Sequence, residues 1–409
     1  MPREVYQNAV VNNSSLSAPR DLKQVQNRKY NLKRKRRTPG VSSNNVADHV
    51  QQVIGMVQTH DLVQEVIHKK GSPAAVILYT NDCISNINCI LKNEPNTVLG
   101  VDRTFNLGEM FLTTIVYKHP AIVRSSTNEN PIFLGPMYIH GRSLFEDYHS
   151  FFSHVKTKLN NTENLVLGSD DEKALTKAMR DCFPTATHLL CTRHLKGNLN
   201  DFMKDKAGLP QSERVKISEK VFGDEGVINA NDSVTFAERV KGVEEIYVND
   251  RLQKYMEKRL YPSIRDYVLE PAWRHLSSTS WTNNNAESLN HVLKLSTQWK
   301  LQTMPDLISK LGDLVQLQHK EVARSLTGRG TFRLTDKYSH YMIQPNAWAS
   351  LTDPQKEKKV TNFCSNRQPD SRGFTVSSDG QLKVKHHRSA GKKPGQRSRR
   401  RATRTVTVL

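Results

Sequence analysis

Cysteine is scarce in this chain: five residues in 409, widely spread. That is too few, too far apart, for the disulfide framework of a secreted scaffold. Long apolar runs are also missing, and nothing approaches the roughly 18 consecutive apolar residues of a membrane span. The opening MPREVYQNAVVNN has no apolar stretch of the secretory-signal kind. Internal repeats are lacking too. Membrane proteins and disulfide-stapled secreted domains are therefore excluded, and a length of 409 residues leaves room for one large domain or two smaller ones.

Acid is missing where base is dense. Residues 1–50 hold ten Lys and Arg against three Asp and Glu, and residues 381–409 hold ten against none. The net charge of +20 thus falls as +7 and +10 on the two ends, leaving +3 for the 330 residues between. Basic tails on a near-neutral body point to a polyanionic partner, to nuclear import, or to both. The run Lys33, Arg34, Lys35, Arg36, Arg37, followed by Thr-Pro-Gly, reads as a nuclear-localisation cluster. Lys392, Lys393, Arg399, Arg400 and Arg401 read as DNA-backbone contacts, because such charge neutralises phosphates with little regard to sequence.

Residues 1–45 lack apolar periodicity and read as a disordered basic tail. A lead-in follows over 46–96: one or two short helices to residue 70, a buried strand from Ala74 to Tyr79, and a helix over 81–92. Three strands come next, 97–102, 110–118 and 131–141, joined by turn residues as in an antiparallel meander. Gly135-Pro136 places a bulge or a sheet edge in the third. Tyr148, Phe152, Val155 and Leu159 mark a helical face, 163–170 a fourth strand, 172–183 a second helix, and 187–194 a fifth strand running into another helix. This order predicts an α/β fold with a mixed sheet flanked by helices over 97–200. Residues 201–275 are charged and poor in strand signals, and read as an all-helical insertion. Residues 276–325 return to the core with two helices, the first capped by Asn283, Asn284 or Asn285 and carrying an apolar stripe of Ala286, Leu289, Val292 and Leu293. Beyond Thr327 periodicity weakens, and 326–409 read as a C-terminal region ending in the basic tail.

Two acids stand at the C-terminal ends of apolar strands, Asp102 and Asp170. A third, Glu287, opens a helix. Strand ends of open α/β sheets face the ligand crevice. Three converging carboxylates repel unless cations lie between them, and hard oxygen donors suit Mg²⁺ or Mn²⁺. Two such ions, roughly 3.5–4 Å apart, serve phosphodiester chemistry. The plain alternative also stands: acids end many strands, and a first-turn Glu is favoured by the helix dipole alone.

The segments TVLGVDRTFNLG (97–108), GSDDEKAL (168–175), FPTATHLLCTRHLKGNL (183–199) and WTNNNAESLNHVLK (281–294) resemble, in order, the four blocks of the Mutator-like element (MULE) transposase domain. The resemblance spans about residues 75–300. It implies a ribonuclease H-like fold with a DDE triad of Asp102, Asp170 and Glu287, two Mg²⁺ or Mn²⁺ ions held by those acids, transposon-end and target DNA as partners, and a homo-oligomer at work on paired ends. Asp171 stands where the family often has glycine, so Asp170 is taken as the second acid. A long helical insertion before the glutamate is also a family trait.

Arg103, His194 and Asn284 are candidate DNA contacts on this reading. Capping and packing are the alternatives for the Asn run. Cys191 and His194 form a C-x-x-H pair, but two ligands do not close a zinc site, and the remaining cysteines offer no completion. Their alternative is a buried Cys beside a structural His. No Cys/His module of the kind many family members use to read DNA is evident, so sequence-specific contact is expected from the tails, the insertion or a partner. The expectation is thus a nuclear DDE transposase or its domesticated descendant. The alternative is a catalytically inactive, transposon-derived DNA-binding regulator.

Overall fold

The computed structural model describes residues 43–68, 73–104, 107, 110–246, 250–365, 374–376 and 382–384, with Gln24 and Arg28 besides. Lys33–Arg37, Lys392, Lys393 and Arg399–Arg401 lie outside these residues. The chain divides into residues 1–365 and 366–409. In the second unit, Phe374–Val376 pairs antiparallel with Leu382–Val384, Thr375 opposite Lys383.

In the first unit a seven-stranded mixed sheet runs in the order β1-β2-β6-β4-β3-β7-β8. The strands are β1 (Val63–Ile67), β2 (Ala75–Leu78), β3 (Val98–Thr104), β4 (Phe111–Lys118), β6 (Ile132–His140), β7 (Val166–Ser169) and β8 (Thr187–Leu190). Strands β3, β4 and β6 form the expected antiparallel meander. Helices α3 (Phe145–Lys156) and α4 (Lys173–Cys182) then separate β6, β7 and β8, so β7 and β8 join β3 in parallel. Such crossovers cover the sheet, and β7 is accordingly buried at all four positions.

Two apolar clusters sit on opposite faces. On one, Ile115, Tyr117, Leu99 and Leu167 meet α2 (Asn81–Asn93), α3 and α4. On the other, Leu112, Val116 and Ile139 meet α1 (Ser43–Thr59), α11 (Asn284–Ser296) and α12 (Met304–Ser325). Side chains alternate faces along a strand. Leu99 and Val101 therefore commit β3 to the first face, and Gly100 and Asp102 to the face that α11 covers.

Some expectations change. The helical reading of 46–70 holds only to Thr59, because Val63, Val66 and Ile67 form an edge strand against β2. Gly135-Pro136 lies in an interior strand, between β2 and β4, not at an edge. The bulge is real: the β4–β6 register shifts between Thr114 and Val116, so the donor-less Pro136 sits where the ladder skips. A Cβ on Gly135 would stand 2.9 Å from the carbonyl oxygen of Ile115, which explains the glycine. Val292 is 43% exposed and leaves the apolar stripe of α11, while Asn290 is buried. The segment after Thr327 also keeps more structure than its pattern suggests. A short strand β9 (Phe332–Leu334) pairs with β5 (Ile122–Arg124), and Phe332, Tyr338 and Phe363 join the first core cluster.

Residues 201–275 contain helices and no strand among the described residues. They begin inside α5 (Thr192–Asp205), and continue with α6 (Gln211–Phe222) and α7 (Ser233–Glu244). A helical run from Asp250 to Trp273 follows: α8 (Asp250–Tyr255), α9 (Tyr261–Ile264) and α10 (Glu270–Trp273), joined by π turns at Met256–Leu260 and Arg265–Leu269. Each π turn precedes a proline, Pro262 or Pro271. The widened turn relieves the clash a proline ring makes with the preceding turn of an α-helix. Leu199, Ile217, Leu252, Leu260 and Ile264 build a third apolar cluster. No described helix is long and apolar enough to cross a membrane.

Candidate functional site

Asp102 and Asp170 come together through strand register. The parallel ladder pairs Gly100 with Gly168 and Val101 with Ser169, so the two acids follow at the same level of neighbouring strands. Both strands carry glycine two residues before the acid, on the same face. A Cβ on Gly168 would overlap the six-membered ring of Trp281, and one on Gly100 would stand 3.2 Å from Oδ1 of Asn283. The paired glycines thus let the lead-in to α11 lie directly on the sheet. Trp281 is further held through its carbonyl, which accepts from the amide and hydroxyl of Thr192 at 3.2 and 3.1 Å. Glu287, in the first turn of α11, is thereby brought over the two strand ends.

Each carboxylate has its own partners. Asp102 accepts from the Arg103 amide (2.8 Å) and from Nδ2 of Asn290 (2.5 Å). Burial, reinforced by the negative charges of Asp170 and then Glu287, pushes Asp102 up to about 7, against the pull of the Arg103 amide and His194. Asp170 lies 2.9 Å from Nδ1 of His194 and accepts weakly from Nδ2 of Asn283 at 3.4 Å. Glu287 accepts from Nη1 of Arg193 at 3.0 Å and stands 3.7 Å from Nε2 of His194. His194 therefore bridges the second and third acids. Its contact with Asp170, and then with Cys191, pushes the imidazole up to about 10 despite opposing burial. The 2.9 Å approach to Asp170 is close but badly aligned for an N–H donor, and Nδ1 has no partner of good hydrogen-bond geometry. It is an ion pair more than a hydrogen bond.

The donor set fits a divalent cation. Three carboxylates face one another, their repulsion visible in the raised Asp102, and the buried Oδ1 atoms of Asn283 and Asn290 lack partners. All are hard oxygens of the kind Mg²⁺ and Mn²⁺ prefer. Asp170, Cys191 and His194 also draw together, with one ligand atom from each lying within 4.8 Å of the others.

The other expected contacts scatter. Arg103 donates to Glu172 (2.9 Å) and Ser143 (2.8 Å) and lies over the Phe111 ring, so its guanidinium ties β3 to the segments that lead into α3 and α4. Asn284 is exposed and lines a cavity of about 640 Å³ with Trp281, Thr282 and Lys118. Asn283 caps α11 by position, but its side chain makes no cap bond and instead donates to the Val101 carbonyl at 3.1 Å.

Three contributors escape a reading by strand ends and caps: Asn290, Arg193 and Arg259. Asn290 was within reach, three residues after Glu287 in the same block and hence on the same side of the helix. Arg259, from a π turn of the insertion, binds Oδ2 of Asp171 at 2.7 Å beside Asp170, and no local pattern announces it. The contact borders a groove of about 380 Å³, lined by Lys173, Lys177, Arg180, Lys258 and Arg259 with Asp171 and Asp266. No family model matches the chain, and no curated protein matches it.

Proposed function

We propose that the chain is a metal-dependent polynucleotidyl transferase of the MULE transposase kind, or a domesticated descendant, that cleaves and joins DNA with Asp102, Asp170 and Glu287. The observation that carries this reading is the proximity of three acids, one in β3, one just past β7 and one in the first turn of α11. Asp102 feels the charge of both others, and His194 touches the remaining two. The core order β6-β4-β3-β7-β8, antiparallel and then parallel, supports a ribonuclease H-like fold.

The three acids would hold two Mg²⁺ or Mn²⁺ ions, which activate an attacking oxygen and stabilise a leaving one. The protein's own part is positioning. Asn290 and the Arg103 amide orient the Asp102 carboxylate, Asn283 ties the start of α11 to both strand ends, and Arg193 holds Glu287. The basic groove beside Asp170 suits a phosphodiester backbone. The basic tails support nuclear import and nonspecific DNA affinity, and work on paired DNA ends would call for a homo-oligomer. One observation favours the alternative, a DNA-binding protein without catalysis: His194 already supplies a cation between Asp170 and Glu287.

Cleavage and strand transfer, with Mg²⁺ or Mn²⁺, on DNA carrying the sequences that flank the gene would decide between them. Asp102→Asn, Asp170→Asn and Glu287→Gln should each lower the rate at least about 1000-fold, about 4 kcal/mol in barrier. Four proteins of equal rate, wild type included, would sink the catalytic reading.

A further inference from the structure

The C-x-x-H pair lacks a third ligand only while cysteines are searched for one; the fold supplies a carboxylate. Parallel register pairs Ser169 with Leu190, which sets Asp170 and Cys191 side by side at the ends of β7 and β8. The Cys191 amide donates to the Ser169 carbonyl at 3.0 Å and fixes that placement. Cys191 is fully buried and caps α5, whose 14 residues bring His194 around one turn later. One donor atom from each of Asp170, Cys191 and His194 lies within 4.8 Å of the other two. Nδ1 of His194 is buried and has no well-aligned hydrogen-bond partner.

We infer that Asp170, Cys191 and His194 form a thiophilic metal site that takes one Zn²⁺, distinct in donor chemistry from the all-oxygen site and sharing only Asp170 with it. Zinc bonds of about 2.0–2.3 Å set tetrahedral ligands about 3.3 Å apart. The 2.9 Å between Nδ1 of His194 and Oδ1 of Asp170 therefore needs only a small opening. Zinc would displace one proton from the Cys191 thiol and one from the His194 imidazolium, since metals bind thiolate and neutral imidazole. Thiolate and imidazole select zinc, while Mg²⁺ takes oxygen donors. Three protein ligands leave the fourth position open to water or to a substrate oxygen. Zinc here would engage Asp170 and draw His194 from Glu287, so zinc and Mg²⁺ would compete through one carboxylate.

The test uses Co²⁺, a spectroscopic stand-in for zinc, titrated into the full chain under reducing conditions. The wild type should bind one equivalent with a near-ultraviolet thiolate-to-cobalt charge-transfer band, and Zn²⁺ should bleach it. Cys191→Ser should abolish the band, His194→Ala should weaken cobalt affinity at least about 10-fold, and Cys182→Ser should change neither. Histidine-only binding elsewhere gives no thiolate band and would count against the site. So would a wild type without the band, or a band surviving in Cys191→Ser. Should Cys191→Ser fail to fold, the wild-type band and the half-exposed His194→Ala variant still decide. Asp102→Asn and Glu287→Gln should keep the band whatever becomes of strand transfer, so this inference and the catalytic reading fail separately.

Discussion

Gly168 shows how one absent side chain shapes the site. A methyl group there would occupy the space of the Trp281 ring, and the same segment two residues on holds Asn283 against Asp170. Gly168→Ala should therefore displace the start of α11 and destabilise the fold by about 1–3 kcal/mol, the usual cost of overpacking. Trp281→Leu should recover part of that loss in the double variant. Urea titrations of the four combinations measure the coupling, and strict additivity would refute the contact. Paired glycines two residues before paired acids are visible in VLGVD and VLGSD. Only the parallel register turns that repetition into a shared floor for Trp281 and Asn283.

At the scale of elements, the insertion reaches the site through its π turns. Lys258 and Arg259 lie in the turn Met256–Leu260, opposite Lys173, Lys177 and Arg180 of α4. Arg259 is engaged by Asp171, whereas Lys177 and Lys258 are exposed. Lys177→Glu and Lys258→Glu should each weaken DNA affinity. Each should also make the dependence of log affinity on log salt shallower by about 0.7–0.9 for every phosphate that the variant no longer neutralises. Fluorescence anisotropy at several salt concentrations checks this. Unchanged slopes in both variants would place the DNA elsewhere, on the tails or along the cavity by Asn284. The helical character of the insertion was legible from its charge and its lack of strand signals. Its reach was not, since the Arg259–Asp171 pair joins residues 88 apart.

For the molecule as a whole, two buried histidines link stability to pH. Burial lowers His119 to about 4, and burial likewise lowers His140 to about 4. Nδ1 of His140 donates to the Arg142 carbonyl at 2.7 Å, and Nε2 of the neutral ring accepts from the Thr113 hydroxyl at 2.8 Å. In the unfolded chain both titrate near the ordinary 6.5. At these two sites the folded state thus binds fewer protons than the unfolded one between those values. Their contribution to stability should fall as pH drops from about 6.5 towards 4, outweighing the single opposing group among the described residues, Asp102, whose raised value works the other way. Urea midpoints at pH 7.5 and 5 should show the loss, and His119→Gln with His140→Gln should flatten it. An equal slope in the double variant would assign the dependence to other groups.

The sequence by itself determined what local periodicity encodes. It placed the strand that carries Asp102, the strand just before Asp170, the helix with Glu287 in its first turn, the all-helical run over 201–275 and the separation of basic ends from a near-neutral body. Periodicity reports which face of an element is apolar, and that is a property of neighbours in sequence. Tertiary structure alone decided what depends on register between distant segments. It seated Gly135-Pro136 in a bulge of an interior strand. It laid Asn290 on Asp102, 188 residues away. It set His194 between two acids, and it completed the Cys191 pair with a carboxylate. Hydrogen bonds and ion pairs act over about 3 Å. Their partners are chosen by the packing of whole elements, which no short stretch of sequence contains.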